Sequence, residues 1–178
     1  GKCKVLVDGR EALACRTTVD RDMTVRLPRT QEDFALTDGI HTELAPVGGI
    51  TLAIDIGTTT VAAYFMENGR VLAAGSRKNP QAAFGADVVS RIRHAQNGRR
   101  EALTAAIRDC VEELADSLMQ ARAHPVPDRV CIVGNPAMQQ LFLGMPVDNL
   151  AKPPFSPRLT KAAVTDGGSV IPLWAGAK

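Results

Sequence analysis

The chain has 178 residues, 45% of them apolar, and a formal net charge of +2 from 21 Lys plus Arg against 19 Asp plus Glu. That length is enough to bury a core, and a near-neutral charge without basic runs interleaved with aromatics argues against a nucleic-acid groove. The apolar runs are far shorter than the roughly 20 residues that span a bilayer, and no signal peptide opens the chain, so a soluble cytoplasmic protein without membrane or nucleic-acid partners is expected.

Taken in chain order, "CKVLV" (3–7) and "MTVRL" (23–27) alternate with period two, the first followed by Asp8-Gly9 and the second by Pro28. They predict short strands in a small unit, 1–28. Residues 29–49 are polar, lack sustained periodicity and end in Pro46 and Gly48-Gly49, which reads as a linker. Strands are predicted at 50–56, 61–66 and 71–75, with Asn68-Gly69 as the tight turn between the last two. Val88, Ile92 and Ala95 then recur at helical spacing until Asn97-Gly98. A longer helix follows, with Leu103, Ile107, Cys110, Val111, Leu114, Leu118 and Ala121 on one face, and Pro125 and Pro127 beyond it. "RVCIV" (129–133) reads as a buried strand, and Gly134-Asn135-Pro136 opens a helix with Asn135 as N-cap and an apolar face of Met138, Leu141, Phe142 and Met145. A Pro-rich loop, "KPPFSPRL", and a strand near 169–173 finish the order, which implies a mixed sheet covered by helices. The chain begins at Gly1 without methionine and stops soon after that last strand, so both ends are expected to be cut.

The break between the strands at 50–56 and 61–66 is Asp55-Ile56-Gly57-Thr58-Thr59-Thr60. A simple reversal needs only Asn-Gly or Asp-Gly. Here N–H groups and three hydroxyls can converge at a sheet edge, a concavity that binds anions, and Gly57 permits close approach of the main chain or a positive φ. Asp55 would repel a bare phosphate, so its presence fits a divalent cation, Mg²⁺, held between them, or a role in orienting an attacking water. The same residues also fit an ordinary hairpin with threonine for strand propensity. Neither GxxxxGK[ST] nor GxGxxG occurs anywhere. Asp87 is either an acid at a helix N-terminus or a nucleotide contact. Asn135 and Gln139, at the edge of the expected pocket, cannot serve as a base.

"LAIDIGTTTVAAYF" (52–65) resembles the first phosphate motif of the actin-like ATPase superfamily, which includes sugar kinases, acetate kinases, actin and the heat-shock chaperones. "NPQAAFGADVVSRI" (79–92), "GNPAM" (134–138) and "PPFSP" (153–157) narrow the resemblance to the reductive activators of corrinoid proteins. It implies an α/β fold in which 50–178 form the first, incomplete lobe of an actin-like (ribonuclease H-like) ATPase domain. Asp55, Gly57, Thr58, Thr59 and Thr60 would hold ATP phosphates and Mg²⁺, with Asp55 as the catalytic residue.

The four cysteines, Cys3, Cys15, Cys110 and Cys131, form no dense disulfide pattern. Cys110 and Cys131 read as small buried residues on a helix face and a buried strand. "GKC" (1–3) and "LACRT" (13–17) together resemble the third and fourth ligand segments of plant-type ferredoxins. That resemblance makes 1–28 the C-terminal part of a β-grasp ferredoxin-like domain, with Cys3 and Cys15 as ligands of a 2Fe-2S cluster and the first two ligands upstream; the alternative is that both are core residues. Two thiolates cannot hold a cluster that needs four, so this chain would be cluster-free unless two molecules share one as a homodimer.

The function implied is ATP-dependent reductive activation of the corrinoid protein of a methyltransferase system. Electrons from a separate donor would pass through the 2Fe-2S cluster to Co(II), restoring Co(I). With the second lobe missing, this chain alone is expected to hydrolyse ATP weakly or not at all. Two other readings are a small-molecule kinase of the same fold and a non-catalytic iron-sulfur carrier or nucleotide-sensing module.

Overall fold

The computed structural model describes residues 4–26, 48–120 and 127–171. The chain divides into two units, Gly1–Phe34 and Ala35–Lys178. The expected linker at 29–49 lies largely outside the described residues.

In the first unit, β1 (Lys4–Val7) pairs antiparallel with β2 (Arg10–Leu13) and with β3 (Val25–Arg26), giving the order β2-β1-β3. Asp8 and Gly9 carry φ of 49° and 82°, the left-handed pair that a two-residue hairpin turn requires. Asp8 also fixes the return of β3, since its N–H donates to the Thr24 carbonyl at 2.9 Å and its Oδ1 accepts from the Thr24 N–H at 2.9 Å. That N–H, followed by Arg21, holds the Asp8 carboxyl below its usual value. The β2 segment "REAL" carries no strand signal because its residues are good helix formers, and the hairpin overrides the propensity. The strand expected at 23–27 is seen only as Val25–Arg26.

In the second unit, β4 (Ile50–Ile56), β5 (Thr60–Glu67) and β6 (Arg70–Lys78) form an antiparallel meander. Helices α1 (Val88–His94) and α2 (Arg100–Gln120) follow, separated where Gly98 takes φ 81°. Strand β7 (Arg129–Gly134) then pairs parallel with β4, and α3 (Pro136–Phe142) begins directly after it. The order β6-β5-β4-β7 places the first strand of the meander beside the strand that returns through the helices. One face of the sheet is buried. Leu52, Ile54 and Ile56 lie opposite Phe65, Ala63 and Val61, and α2 and α3 cover them with Leu103, Ile107, Leu114, Met138 and Leu141.

Phe65 and Leu52 are opposite one another and both fully buried. Phe65→Ala is expected to destabilise this unit by about 3–5 kcal/mol, read as a fall in the urea midpoint. A cost below about 1 kcal/mol would place the core elsewhere.

Three expectations are corrected. Cys131 is exposed, not buried, because β7 lies at the edge of the described sheet and alternates, with Arg129, Cys131 and Val133 on the outer face. Cys110 is buried as expected, and burial pushes its thiol pKa up. The strand near 169–173 is absent over its described part, where Gly167–Ser169 form a 3-10 turn and Ile171 is buried against the core; 172 and 173 lie outside the described residues. Met145 is only half-buried, whereas Met138, Leu141 and Phe142 form the apolar face of α3.

Candidate functional site

Strand β4 alternates so that Leu52, Ile54 and Ile56 face the core and Asp55 is exposed on the other side, one residue before the sheet breaks. Among the described residues the Asp55 side chain makes no hydrogen bond and no ion pair. Its carboxylate is available to a cation.

Residues 57–59 form the turn into β5. A Cβ on Gly57 would lie 2.6 Å from the Thr60 carbonyl oxygen, so close main-chain approach requires glycine here; its φ is not in the left-handed region, and the positive-φ alternative falls away. The three carbonyls of the turn are held from behind. Asn79 Nδ2 donates to Gly57 O at 2.8 Å, Arg91 Nη2 to Thr58 O at 2.6 Å, and the Asn79 N–H to Thr59 O at 2.8 Å. In a trans peptide the N–H opposes the C=O, so the N–H groups of Thr58 and Thr59 are turned to the front. Among the described residues neither N–H has an acceptor. Thr59 is exposed, and Thr58 and Thr60 are half-buried. Forward-facing N–H groups, hydroxyls and one adjacent carboxylate form a donor set suited to phosphate with Mg²⁺, a cation usually held by one or two carboxylates plus phosphate oxygens.

The frame behind the turn is the segment 79–91. Asn79 caps the 3-10 turn Pro80–Ala83 by accepting from the Gln81 N–H at 2.9 Å. Gln81 is fully buried and donates to Leu103 O at 3.0 Å, which ties the segment to α2. A Cβ on Gly85 would meet Ser90 Oγ at 2.1 Å, so glycine permits the packing that brings Gly85 O to 2.9 Å from Arg91 Nε. Asp87 is the N-cap of α1, in a capping box with Ser90, and so takes the structural role of its two readings. Its pKa is lowered chiefly by the Ser90 N–H.

Because the folded pKa of Asp87 lies below its unfolded value, its contribution is present above about pH 4 and is lost as pH falls through the folded pKa. Asp87→Ala is therefore expected to lower the urea midpoint at pH 7, and the difference from wild type should vanish towards pH 2. A difference that persists at pH 2 would assign the effect to something other than the ionised cap.

Asn135 caps α3, its Oδ1 accepting from the N–H groups of Ala137 and Met138 at 3.1 Å each, while its Nδ2 donates to Thr58 Oγ1 at 3.3 Å. It is thus both a cap and a neighbour of the turn. Gln139 is half-buried, its backbone N–H donating to the Asn135 carbonyl at 3.0 Å and its carbonyl accepting from the Leu143 N–H at 3.0 Å, and among the described residues its side chain makes no hydrogen bond. Arg91 and Gln140 carry no motif by themselves, yet both are fully buried. Arg91 occupies the i+3 position of the stripe Val88, Arg91, Ile92, Ala95, and a cation on an apolar face is the signal that marks it. Gln140 anchors the Pro-rich loop by donating to Pro146 O at 2.6 Å and accepting from the Arg158 N–H at 2.9 Å.

Among the described residues no group of three or more His, Cys, Asp or Glu forms a metal cluster. Cys3 lies outside the described residues; the Cys15 backbone is in the 3-10 turn Ala14–Arg16, and its side chain is also outside them. No described helix is long and apolar enough to cross a membrane.

A meander, helices, then a parallel strand beside the first, with a glycine turn at the end of that first strand, define an α/β lobe of the actin-like ATPase class. Residues 50–171 match the family model described as "RACo middle region", and the chain belongs to that family. A curated relative, "Corrinoid activation enzyme RamQ" of Eubacterium limosum, is 36% identical over an alignment of 135 positions that covers 72% of this chain and 22% of the relative. A solved "Reductive activator for corrinoid,iron-sulfur protein" superposes with a TM-score of 0.58 at 32% identity, over 62% of this chain and 19% of that one. This chain therefore spans about a fifth of the length of these relatives.

Proposed function

We propose that residues 50–171 bind the phosphates of ATP with Mg²⁺ at Asp55, Gly57, Thr58, Thr59 and Thr60, within a protein that reductively activates a corrinoid protein. The observation that carries the reading is the turn itself, whose carbonyls are held at the rear by Asn79 and Arg91 while the Asp55 carboxylate, two residues before it, has no partner among the described residues. The names borne by the relatives supply the reaction class. Asp55 would hold the cation through its carboxylate, directly or through water, or orient an attacking water, and the Thr58 and Thr59 N–H groups would donate to phosphate oxygens.

In this reading 1–28 are the end of a ferredoxin-like domain, 29–49 a linker and 50–178 the first part of the ATPase domain. Cys3 and Cys15 are two of four thiolate ligands of a 2Fe-2S cluster, which supplies single electrons when bound. The reducible centre of the partner, Co(II), is the substrate; it gains one electron to become Co(I), and a separate donor replaces that electron in the cytoplasm. ATP hydrolysis to ADP and phosphate biases the domain arrangement, by no more than the difference in nucleotide affinity between two states.

The iron-sulfur half is tested by purifying the full-length natural protein anaerobically and recording EPR spectra before and after reduction. A two-iron signal, lost in Cys3→Ser or Cys15→Ser, is the expected result. Absence of iron in the wild type would return both cysteines to core packing.

A further inference from the structure

Arg91 is 0% exposed, and its guanidinium is satisfied by neutral acceptors. Nε donates to Gly85 O at 2.9 Å, Nη1 to Gln81 Oε1 at 3.3 Å and to Met138 Sδ at 3.4 Å, and Nη2 to Thr58 O at 2.6 Å. Among the described residues no carboxylate forms an ion pair with it. Burial lowers its pKa, and the charge of the exposed Asp87 acts on it in the opposite sense. A guanidinium remains protonated all the same. The core thus holds a positive charge that is hydrogen-bonded but, among the described residues, not ion-paired, an arrangement that costs stability unless a counter-charge arrives.

A neutral amide also holds a carbonyl of this turn, as Asn79 does for Gly57, so hydrogen bonding alone does not require a cation. What the cation adds is polarisation. Thr58 C=O and Thr59 N–H belong to one trans peptide, with Arg91 at the rear end and the exposed side of the turn at the other. Hydrogen bonds in series strengthen one another, so a cation on the carbonyl makes the Thr59 N–H a stronger donor. We propose that Arg91 is a positioning residue for the anion at the turn, its buried charge delivered through the Thr58–Thr59 peptide and balanced by the ligand's phosphate. The inference rests on the nucleotide reading given above.

The test is the Kd for MgATP, by calorimetry on the full-length natural protein, with thermal midpoints for each variant. Arg91→Gln keeps a donor and removes the charge; Arg91→Lys keeps the charge and removes the planar fork. Arg91→Gln is expected to weaken MgATP by about tenfold or more, and Arg91→Lys to stay within about threefold of wild type. A purely architectural arginine would fail in both variants, since lysine cannot reproduce the fork. Wild-type affinity in Arg91→Gln, or a larger loss than threefold in Arg91→Lys, overturns the inference. If Arg91→Gln does not fold, Arg91→Lys decides by the same limit. Failure of the wild type to bind MgATP sinks the nucleotide reading and this inference with it, whereas wild-type binding with a defective Arg91→Lys sinks this inference alone.

Discussion

Asp55→Asn in the full-length natural protein is expected to reduce Mg²⁺-dependent ATP turnover by about 10²-fold or more while leaving the urea midpoint nearly unchanged. The separation of the two effects follows from where the side chain stands. Asp55 is exposed near the end of β4 and its side chain makes no hydrogen bond or ion pair among the described residues, so its replacement removes no polar contact of the carboxylate. Surface substitutions of that kind fall within about 0.5 kcal/mol. The amide, however, carries no charge for a divalent cation and cannot offset repulsion between phosphate and its surroundings. Stability and turnover measured on one preparation decide the matter. Turnover within about threefold of wild type would remove Asp55 from the site and leave the turn as a hairpin.

Gly57→Val is expected to damage both properties. The added Cβ would begin 2.6 Å from Thr60 O, well inside contact distance, and the obstacle is main chain that cannot swing aside as a side chain does. Relief requires the turn to shift, at a cost of about 1–3 kcal/mol. The shift also strains the bonds from Asn79 and Arg91 that aim the peptide units, so MgATP affinity should fall by about tenfold or more. Gly57→Ala should act in the same direction, because the clash is set by Cβ alone. Equal affinity in wild type and Gly57→Val, measured by calorimetry, would mean that phosphate does not meet this turn.

The meander, the α1 to α2 break and the capped α3 were legible because period-two alternation, Asn97-Gly98 and Asn135-Pro136 are local signals. The turn at 57–59 was legible too, as a chemical oddity, since a hairpin does not need three hydroxyls beside a carboxylate. What supports that turn was not. Asn79 and Arg91 act across 22 and 33 residues of sequence, and only the folded packing of β6, α1 and β4 brings them to its carbonyls. Strand β2 is not legible because the hairpin register overrides helix-forming residues. The exposure of Cys131 is not legible because a continuous apolar run reads as burial on two faces, whereas β7 lies at the edge of the described sheet. The burial of Gln140 depends on a loop that returns to it 18 residues later, which no periodicity announces.

The most direct measurement is anaerobic reduction of a corrinoid protein from Co(II) to Co(I) by the full-length natural protein, followed by its visible spectrum with and without MgATP. Reduction that requires MgATP in the wild type and fails in Asp55→Asn is the predicted result. Reduction at the same rate without nucleotide would contradict it and make this lobe a bystander to electron transfer.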